Sequence, residues 1–286
     1  MHSTRSVVST LFVATLALLG SCDKAQKPAE QAAAATPPAP VAPRVVHVTA
    51  SEYSFQAPDT LTAGLTTFHL MNEGKELHQV VLLRLASGQT FADFQKQDFS
   101  GPPPADLQVI GGPNPAGPGG AAEAMVDLKP GMYVMLCAIP SPDGKTHLMK
   151  GMVRPLTVVA SDAQITAPVA DVTITLSDYK FAPSIPLTAG HHVIKVENAG
   201  TQWHEMVFVR LAPGKRVADF ARWAEKPQGP PPGAPLNGAS PMMAGASNYI
   251  PVDLTPGEYG LICFLPDTKD QKPHLAHGMM TQFTVK

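Results

Sequence analysis

The chain repeats itself at an offset of 126 residues, and this duplication restricts the possible folds more than any other feature. The offset aligns identical residues along most of each copy: Tyr53 with Tyr179, Gly74 with Gly200, His78 with His204, Arg84 with Arg210, Tyr133 with Tyr259 and Cys137 with Cys263. A repeat of more than 100 residues is a whole domain rather than one unit of a solenoid. The sequence therefore predicts two related domains, copy 1 over residues 44–160 and copy 2 over residues 171–286, joined by a linker over residues 161–170.

Within each copy the hydrophobic pattern is typical of β-strands. Residues 172–177 alternate apolar and polar side chains, and several other short apolar runs are bounded by Gly, Pro and Asn. Regularly spaced runs of this kind predict an all-β sandwich in each copy. Residues 90–99 and 217–226 have the aromatic spacing of one or two helical turns, and the Pro- and Gly-rich stretches after them, 101–120 and 229–247, are expected to be long irregular excursions.

The first 43 residues have the pattern of an export signal followed by a spacer. Residues 1–21 contain a basic residue, a short apolar run and small residues directly before Cys22, and the string LGSC resembles the bacterial lipobox. That resemblance implies lipidation of Cys22 after cleavage, and several acyl chains would anchor the protein firmly. The alternative is an ordinary cleaved signal with a chance cysteine. Residues 22–43 are rich in Ala and Pro and predict an extended tether.

These features predict a bacterial cell-envelope protein, anchored by lipid to the membrane and facing the periplasm. Asp23, after the lipidated cysteine, resembles an inner-membrane retention signal and favours that membrane without excluding the outer one. The formal net charge of -2 gives no basic surface for a nucleic acid, so we expect no nucleic-acid partner.

Each copy contains the same ordered set of four soft or borderline metal donors. A histidine opens one apolar strand, a cysteine follows about 60 residues later, and a loop then leads to a second histidine and a methionine. The sets are His78, Cys137, His147 and Met152 in copy 1, and His204, Cys263, His274 and Met279 in copy 2. A thiolate and two imidazoles with a weak thioether form the ligand set of blue copper, which suits both oxidation states of the metal.

The segments LKPGMYVMLCAIP...HLMKGM and LTPGEYGLICFLP...HLAHGM resemble the closing motif of the cupredoxins, the plastocyanin and azurin family. The resemblance covers both copies. It implies two tandem Greek-key β-sandwiches that bind up to two type 1 copper ions through the eight residues above. The loop between cysteine and histidine has nine residues in copy 1 and ten in copy 2. It is longer than the plastocyanin loop and closer to that of the copper nitrite reductases.

Alternatives remain for the individual residues. An unpaired thiol tends to oxidise outside the cytoplasm. Copper ligation would explain why two cysteines in separate domains stay unpaired, and the alternative is that both are buried structural cysteines. Met280 is a second candidate for the methionine of copy 2. Histidines without a counterpart in the other copy, such as His69 and His277, are expected at the surface.

The ligand sets favour a one-electron carrier that works with a redox partner protein. A copper storage or delivery protein could use the same residues, and its partner would be a copper donor or acceptor. A metal-free binding module is the third hypothesis. An enzyme is not expected. Multicopper enzymes need further histidine-rich sites, commonly beside the blue-copper cysteine, and the sequence contains no His-x-His pair.

Overall fold

The computed structural model describes residues 42–97, 107–163, 165–226 and 228–286, which all lie in one compact unit. The predicted signal peptide and Cys22 lie outside the described residues. Copy 1 contains strands β1 (Arg44–Ser51), β2 (Ser54–Gln56), β3 (Thr60–Thr62), β4 (Gly64–Asn72), β5 (Val81–Arg84), β6 (Gln108–Gly111), β7 (Ala121–Leu128), β8 (Gly131–Leu136) and β9 (Val153–Val159), and helix α1 (Phe91–Gln95). Copy 2 contains strands β10 (Val172–Ser177), β11 (Lys180–Pro183), β12 (Gly190–Asn198), β13 (His204–Leu211), β14 (Gly233–Met242), β15 (Ser247–Leu254), β16 (Gly257–Ile262) and β17 (Met280–Val285), and helix α2 (Val217–Glu225).

The strands form two sheets that face each other, and both sheets run through the two copies. One sheet has the order β11-β10-β12-β15-β7-β4-β1-β2, and the other has the order β17-β16-β13-β14-β6-β5-β8-β9-β3. Large apolar side chains such as Phe68, Leu82, Phe208 and Leu261 fill the space between the sheets. The prediction of an all-β sandwich fold is confirmed, and the two short helices lie where the aromatic spacing predicted them.

The strand before each cysteine is fixed by a tyrosine that bonds back onto its own turn. The Tyr133 hydroxyl donates to the Lys129 carbonyl at 2.8 Å and accepts the Lys129 amide, and Tyr259 makes the same pair of bonds with Thr255. Both tyrosines are almost fully buried. A buried hydroxyl satisfied in this way holds the strand in one register, and β8 and β16 both end one residue before a cysteine.

The two copies meet through equivalent edge strands. β6 lies beside β14, and β7 lies beside β15. Since β14 and β15 are the copy 2 counterparts of β6 and β7, the junction has the form of an isologous dimer interface within one chain. At this junction the backbone of Gly111 lies against the side chain of Asn248. A Cβ at Gly111, whose φ is +103°, would lie 1.9 Å from the Asn248 side-chain oxygen, so only glycine fits here.

This junction corrects the sequence analysis. Residues 101–120 and 229–247 were expected to be irregular, but β6 and β14 lie within them and join the two sandwiches. Their prolines and glycines are accommodated because the ladder is interrupted there, with irregular register in both the β13–β14 and β5–β6 pairs. Side chains complete the contact: Asn114 donates to Glu205 at 3.0 Å and Ser240 donates to the Pro113 carbonyl at 3.0 Å.

No helix in the described ranges has both the length and the apolar character needed to cross a membrane.

Candidate metal centres

The cysteine, second histidine and methionine of each copy are held together by a backbone network after the cysteine strand. In copy 1 the Cys137 amide donates to the Met152 carbonyl at 3.2 Å, and the Met152 amide donates to the His147 carbonyl at 2.9 Å. The Leu148 amide donates to the Cys137 carbonyl at 2.8 Å. The loop therefore closes on itself and returns the second histidine to the end of β8.

Centre 1 consists of His78, Cys137 and His147. The first histidine lies just before β5, where its backbone bridges to Ala116. The Cys137 sulfur lies 3.3 Å from His147 Nδ1, and the two histidine Nδ1 atoms lie 3.1 Å apart. All three side chains are fully buried. The structure thus brings together the three predicted ligands of copy 1.

Centre 2, consisting of His204, Cys263 and His274, has nearly the same geometry. The Cys263 sulfur lies 3.4 Å from His274 Nδ1, and the Nδ1 atoms of His204 and His274 lie 3.1 Å apart. Its three side chains are also fully buried. The one-residue difference in loop length is absorbed away from the ligands.

The donor atoms of both centres fit a copper ion. Within each centre the three donor atoms all lie within 4.8 Å of one another. Two ligands of one ion, with bonds of roughly 2.0 to 2.3 Å, lie about 3 to 4 Å apart. Two imidazole nitrogens and one thiolate, closed off from water, are the trigonal set that suits copper. Met152 and Met279 are fully buried and follow the loop histidine of each centre, and their axial role stays a prediction.

Burial controls the protonation of the donors. It raises the pKa of the Cys137 thiol to about 12, against backbone N–H donors from Gln79 and Ile139 that lower it. Burial likewise raises the pKa of Cys263. The pKa values of His78 and His274 are lowered to about 4, first by burial and then by the neighbouring imidazole. Near neutral pH the metal-free centres thus hold a neutral thiol, together with imidazoles at His78 and His274 that are ready to bind a metal.

We expect copper binding at pH 7.5 to a Cys137→Ser chain, which keeps centre 2 alone, to release about one proton per ion. The thiol must lose its proton to become a ligand, whereas histidines with lowered pKa values have none to lose. A lowered histidine pKa means that protons compete with the metal only at lower pH. Metal binding by the imidazoles of His78 and His274 should therefore weaken as the pH falls toward 4 rather than at 6.5. Titration of metal-free protein with copper in weakly buffered solution measures the release. No release, or two protons per ion, would contradict this protonation state.

Residues around the ligands were not recognised in the sequence. Glu76 accepts a hydrogen bond from His147 Nε2 at 2.9 Å, and Asp178 accepts one from His204 Nε2 at 2.9 Å. Tyr53 and Tyr179, whose φ values are +62° and +67°, place their rings 5.2 and 5.5 Å from the loop histidines. The repeat offered a signal for the tyrosines, because they align at the 126-residue offset. The two carboxylates do not align with each other.

The carboxylates have depressed pKa values. Burial acts to raise the pKa of Glu76, but hydrogen bonds from His147, Ser141 and Tyr53 lower it overall. The pKa of Asp178 falls to about 2 for the same kind of reason, since bonds from Thr201 and His204 outweigh burial. Both groups are anions at neutral pH, in contact with an imidazole of the predicted ligand set.

Other candidate residues are not among the converging donors of the two centres. His69 bonds to Glu123 at 3.1 Å and is half-buried on a sheet face, and Met149 is 55% exposed. His277 is exposed and bonds to Asp270 at 3.1 Å. Together with Asp267 these two form a third, mostly exposed group of metal-capable side chains.

No protein-family model matches the sequence, and no curated protein matches it significantly. Solved structures do match. Auracyanin from Roseiflexus castenholzii, reduced with dithionite, is 23% identical with a TM-score of 0.30 and covers 42% of this chain and 99% of its own. Auracyanin A, a blue copper protein from Chloroflexus aurantiacus, is 18% identical with a TM-score of 0.29 and covers 41% of this chain and 98% of its own. Blue copper oxidase from Nitrosomonas europaea is 14% identical with a TM-score of 0.26 and covers 85% of each chain.

These TM-scores are all below 0.5, so the assignment of the ligand residues depends on the strand order and donor geometry described above. Two facing sheets run through both copies, and each copy has a cysteine at the end of a strand with two histidines that converge on it. The described part of the chain therefore has an all-β sandwich fold that contains this arrangement twice.

Proposed function

We propose that this chain is a one-electron carrier that binds one type 1 copper ion in each copy. The supporting observation is the convergence of two buried imidazole nitrogens and one buried sulfur in each centre, at 3.1 to 3.4 Å. Copper supplies the one-electron couple when it is bound. The residues supply a closed, fixed donor set, which suits both oxidation states and keeps the rearrangement between them small.

The surroundings of the cysteines favour a carrier over a multicopper enzyme. Leu136 and Ala138 flank one cysteine, and Ile262 and Phe264 flank the other, so no neighbouring imidazole leads to a second metal. Among the described residues, the one further group of metal-capable side chains contains a single histidine. We therefore propose no substrate turnover.

Burial of the ligands favours electron transfer over copper storage or delivery. The side chains of all four ligand histidines and both cysteines are fully buried, so an ion can exchange only if the loop opens. An electron needs no such opening. The partner proposed for the carrier is accordingly a redox protein rather than a copper donor or acceptor.

Copper retention during redox cycling tests this choice. Loaded protein is reduced and reoxidised repeatedly in the presence of a Cu(I) chelator, and copper is counted after each cycle. A carrier should keep both ions through many cycles. Rapid transfer of copper to the chelator on reduction would favour delivery and overturn the carrier proposal.

We also propose that Cys22 anchors the protein to the periplasmic side of the cell envelope, with the inner membrane favoured. Support comes from the LGSC string and the spacer over residues 22–43. One residue that carries several acyl chains gives stable anchoring, whereas a single chain is marginal. Membrane fractionation of a Cys22→Ser variant tests this, because a variant that stays in the membrane pellet after a salt wash would need another anchor.

A further inference from the structure

The two centres differ in which imidazole carries an anionic partner. In centre 1 the loop histidine, His147, donates from Nε2 to Glu76 Oε2 at 2.9 Å. In centre 2 the strand histidine, His204, donates from Nε2 to Asp178 Oδ1 at 2.9 Å. A carboxylate therefore bonds to the loop histidine in copy 1 and to the strand histidine in copy 2.

The other histidine of each centre has no such partner. The Nε2 atoms of His78 and His274 are buried and have no hydrogen-bond partner among the residues that the structure describes. For His78 the reason lies in Glu52, which occupies the position of Asp178 in the repeat. Its Oε1 accepts the backbone amides of Lys75 and Glu76 instead of the imidazole.

For His274 the reason is a change of residue. Gln202 occupies the position of Glu76, and its side-chain amide donates to Asp267 at 2.8 Å and to the Tyr179 hydroxyl at 3.3 Å. The Asp267 carboxylate therefore bonds to the amide and the tyrosine and not to the imidazole. Each centre is left with one supported and one unsupported histidine.

We propose that Glu76 and Asp178 are positioning residues that orient His147 and His204 and lower the reduction potentials of their own centres. This inference rests on the proposed function. A carboxylate that accepts the Nε2 proton leaves the Nδ1 lone pair directed at the metal and makes it more basic. The nearby negative charge also stabilises Cu(II) relative to Cu(I), because the oxidised ion carries more charge.

The two orienting carboxylates have different neighbours. Lys150 Nζ lies 3.0 Å from the Tyr53 hydroxyl, which donates to Glu76 Oε1 at 3.1 Å. The residue at the same place in copy 2, three positions after the loop histidine, is His277, which bonds to Asp270. Lys150 also forms an ion pair with Asp143 at 3.0 Å, so the surroundings of the two orienting carboxylates differ in side-chain type.

The test uses chains with one centre each. Cys263→Ser isolates centre 1, and Cys137→Ser isolates centre 2. In these backgrounds Glu76→Gln and Asp178→Asn keep the size of the side chain but remove its charge. Each variant should keep its copper, while the ratio of Cu(II) to Cu(I) affinity at its own centre falls about tenfold or more. For a one-electron couple a tenfold change raises the potential by about 59 mV.

Glu123→Gln is the matched control, because Glu123 bonds to Nδ1 of His69, a histidine that belongs to neither centre. It should leave both potentials unchanged. Potentials that do not move in Glu76→Gln and Asp178→Asn would overturn the inference while the carrier proposal stands.

Metal-free protein gives an independent readout. Nitrogen-15 NMR of the imidazoles should show His147 and His204 protonated on Nε2, with a change at His147 alone in Glu76→Gln. Protonation on Nδ1 would overturn the positioning role. A wild-type chain that binds no copper would refute the proposed function, and the NMR result would still decide whether the carboxylates orient these rings.

Discussion

Replacing Cys137 by serine should leave one copper per chain and about half of the thiolate-to-copper absorption. The hydroxyl cannot replace a thiolate as a soft ligand, and the sulfur is one of three donor atoms in centre 1. Centre 2 should stay intact, because separate sites that share no partners perturb each other little. Cys263→Ser should do the reverse, and the double variant should be colourless. Copper analysis and the visible spectrum measure these effects.

Cys22→Ser is the matched control, since it makes the same change at the cysteine that has no counterpart in the repeat. It should keep both ions and the full absorption. A single variant that lost both coppers while still folded would mean that the ions share a site, which would contradict one centre per copy.

Replacing Gly200 by alanine should weaken copper binding at centre 2 by about 10- to 100-fold. An added Cβ would lie 2.6 Å from His204 Nε2 and 2.6 Å from Asp178 Oδ1, which is closer than atoms in contact can approach. The imidazole must then move, and its bond to the carboxylate is lost. Gly74→Ala should act in the same way on centre 1, because its Cβ would lie 2.8 Å from His78 Nε2. Copper titration of each variant gives the affinities.

Gly117→Ala provides the control for these glycines. The nearest atom to a Cβ at Gly117 is in Leu77, at 4.0 Å, so the change should leave both affinities unchanged. Equal copper affinity in Gly200→Ala and the wild-type chain would show that His204 has room to shift without losing the metal.

The sandwich fold and the histidines and cysteines of the two centres could be predicted from the sequence for a physical reason. Strand alternation depends on local side-chain order, and a duplicated chain displays each spacing twice, so His78 and Cys137 could be matched with His204 and Cys263 before any contact was known. The pairing of the sheets across the copies could not be predicted. It depends on the pairing of β6 with β14, which lie in stretches rich in proline and glycine that are typical of loops.

The support of the ligand histidines was also hidden in the sequence. Glu52 and Asp178 align in the repeat, yet only Asp178 reaches an imidazole. Glu76 aligns with Gln202, but Glu76 bonds to the loop histidine of its copy, whereas Gln202 bonds to Asp267 and Tyr179. Which carboxylate meets which ring depends on side-chain length and on competing backbone amides, and neither follows a periodic pattern.

The most direct test of two copper-binding electron-carrier centres is a redox titration of the purified protein, with copper content and the visible spectrum followed together. We expect two copper ions per chain, thiolate-to-copper absorption in the oxidised form, and two reversible one-electron steps in voltammetry. A chain that takes up Cu(I) tightly but shows no reversible wave and no absorption after oxidation would contradict the electron-carrier function.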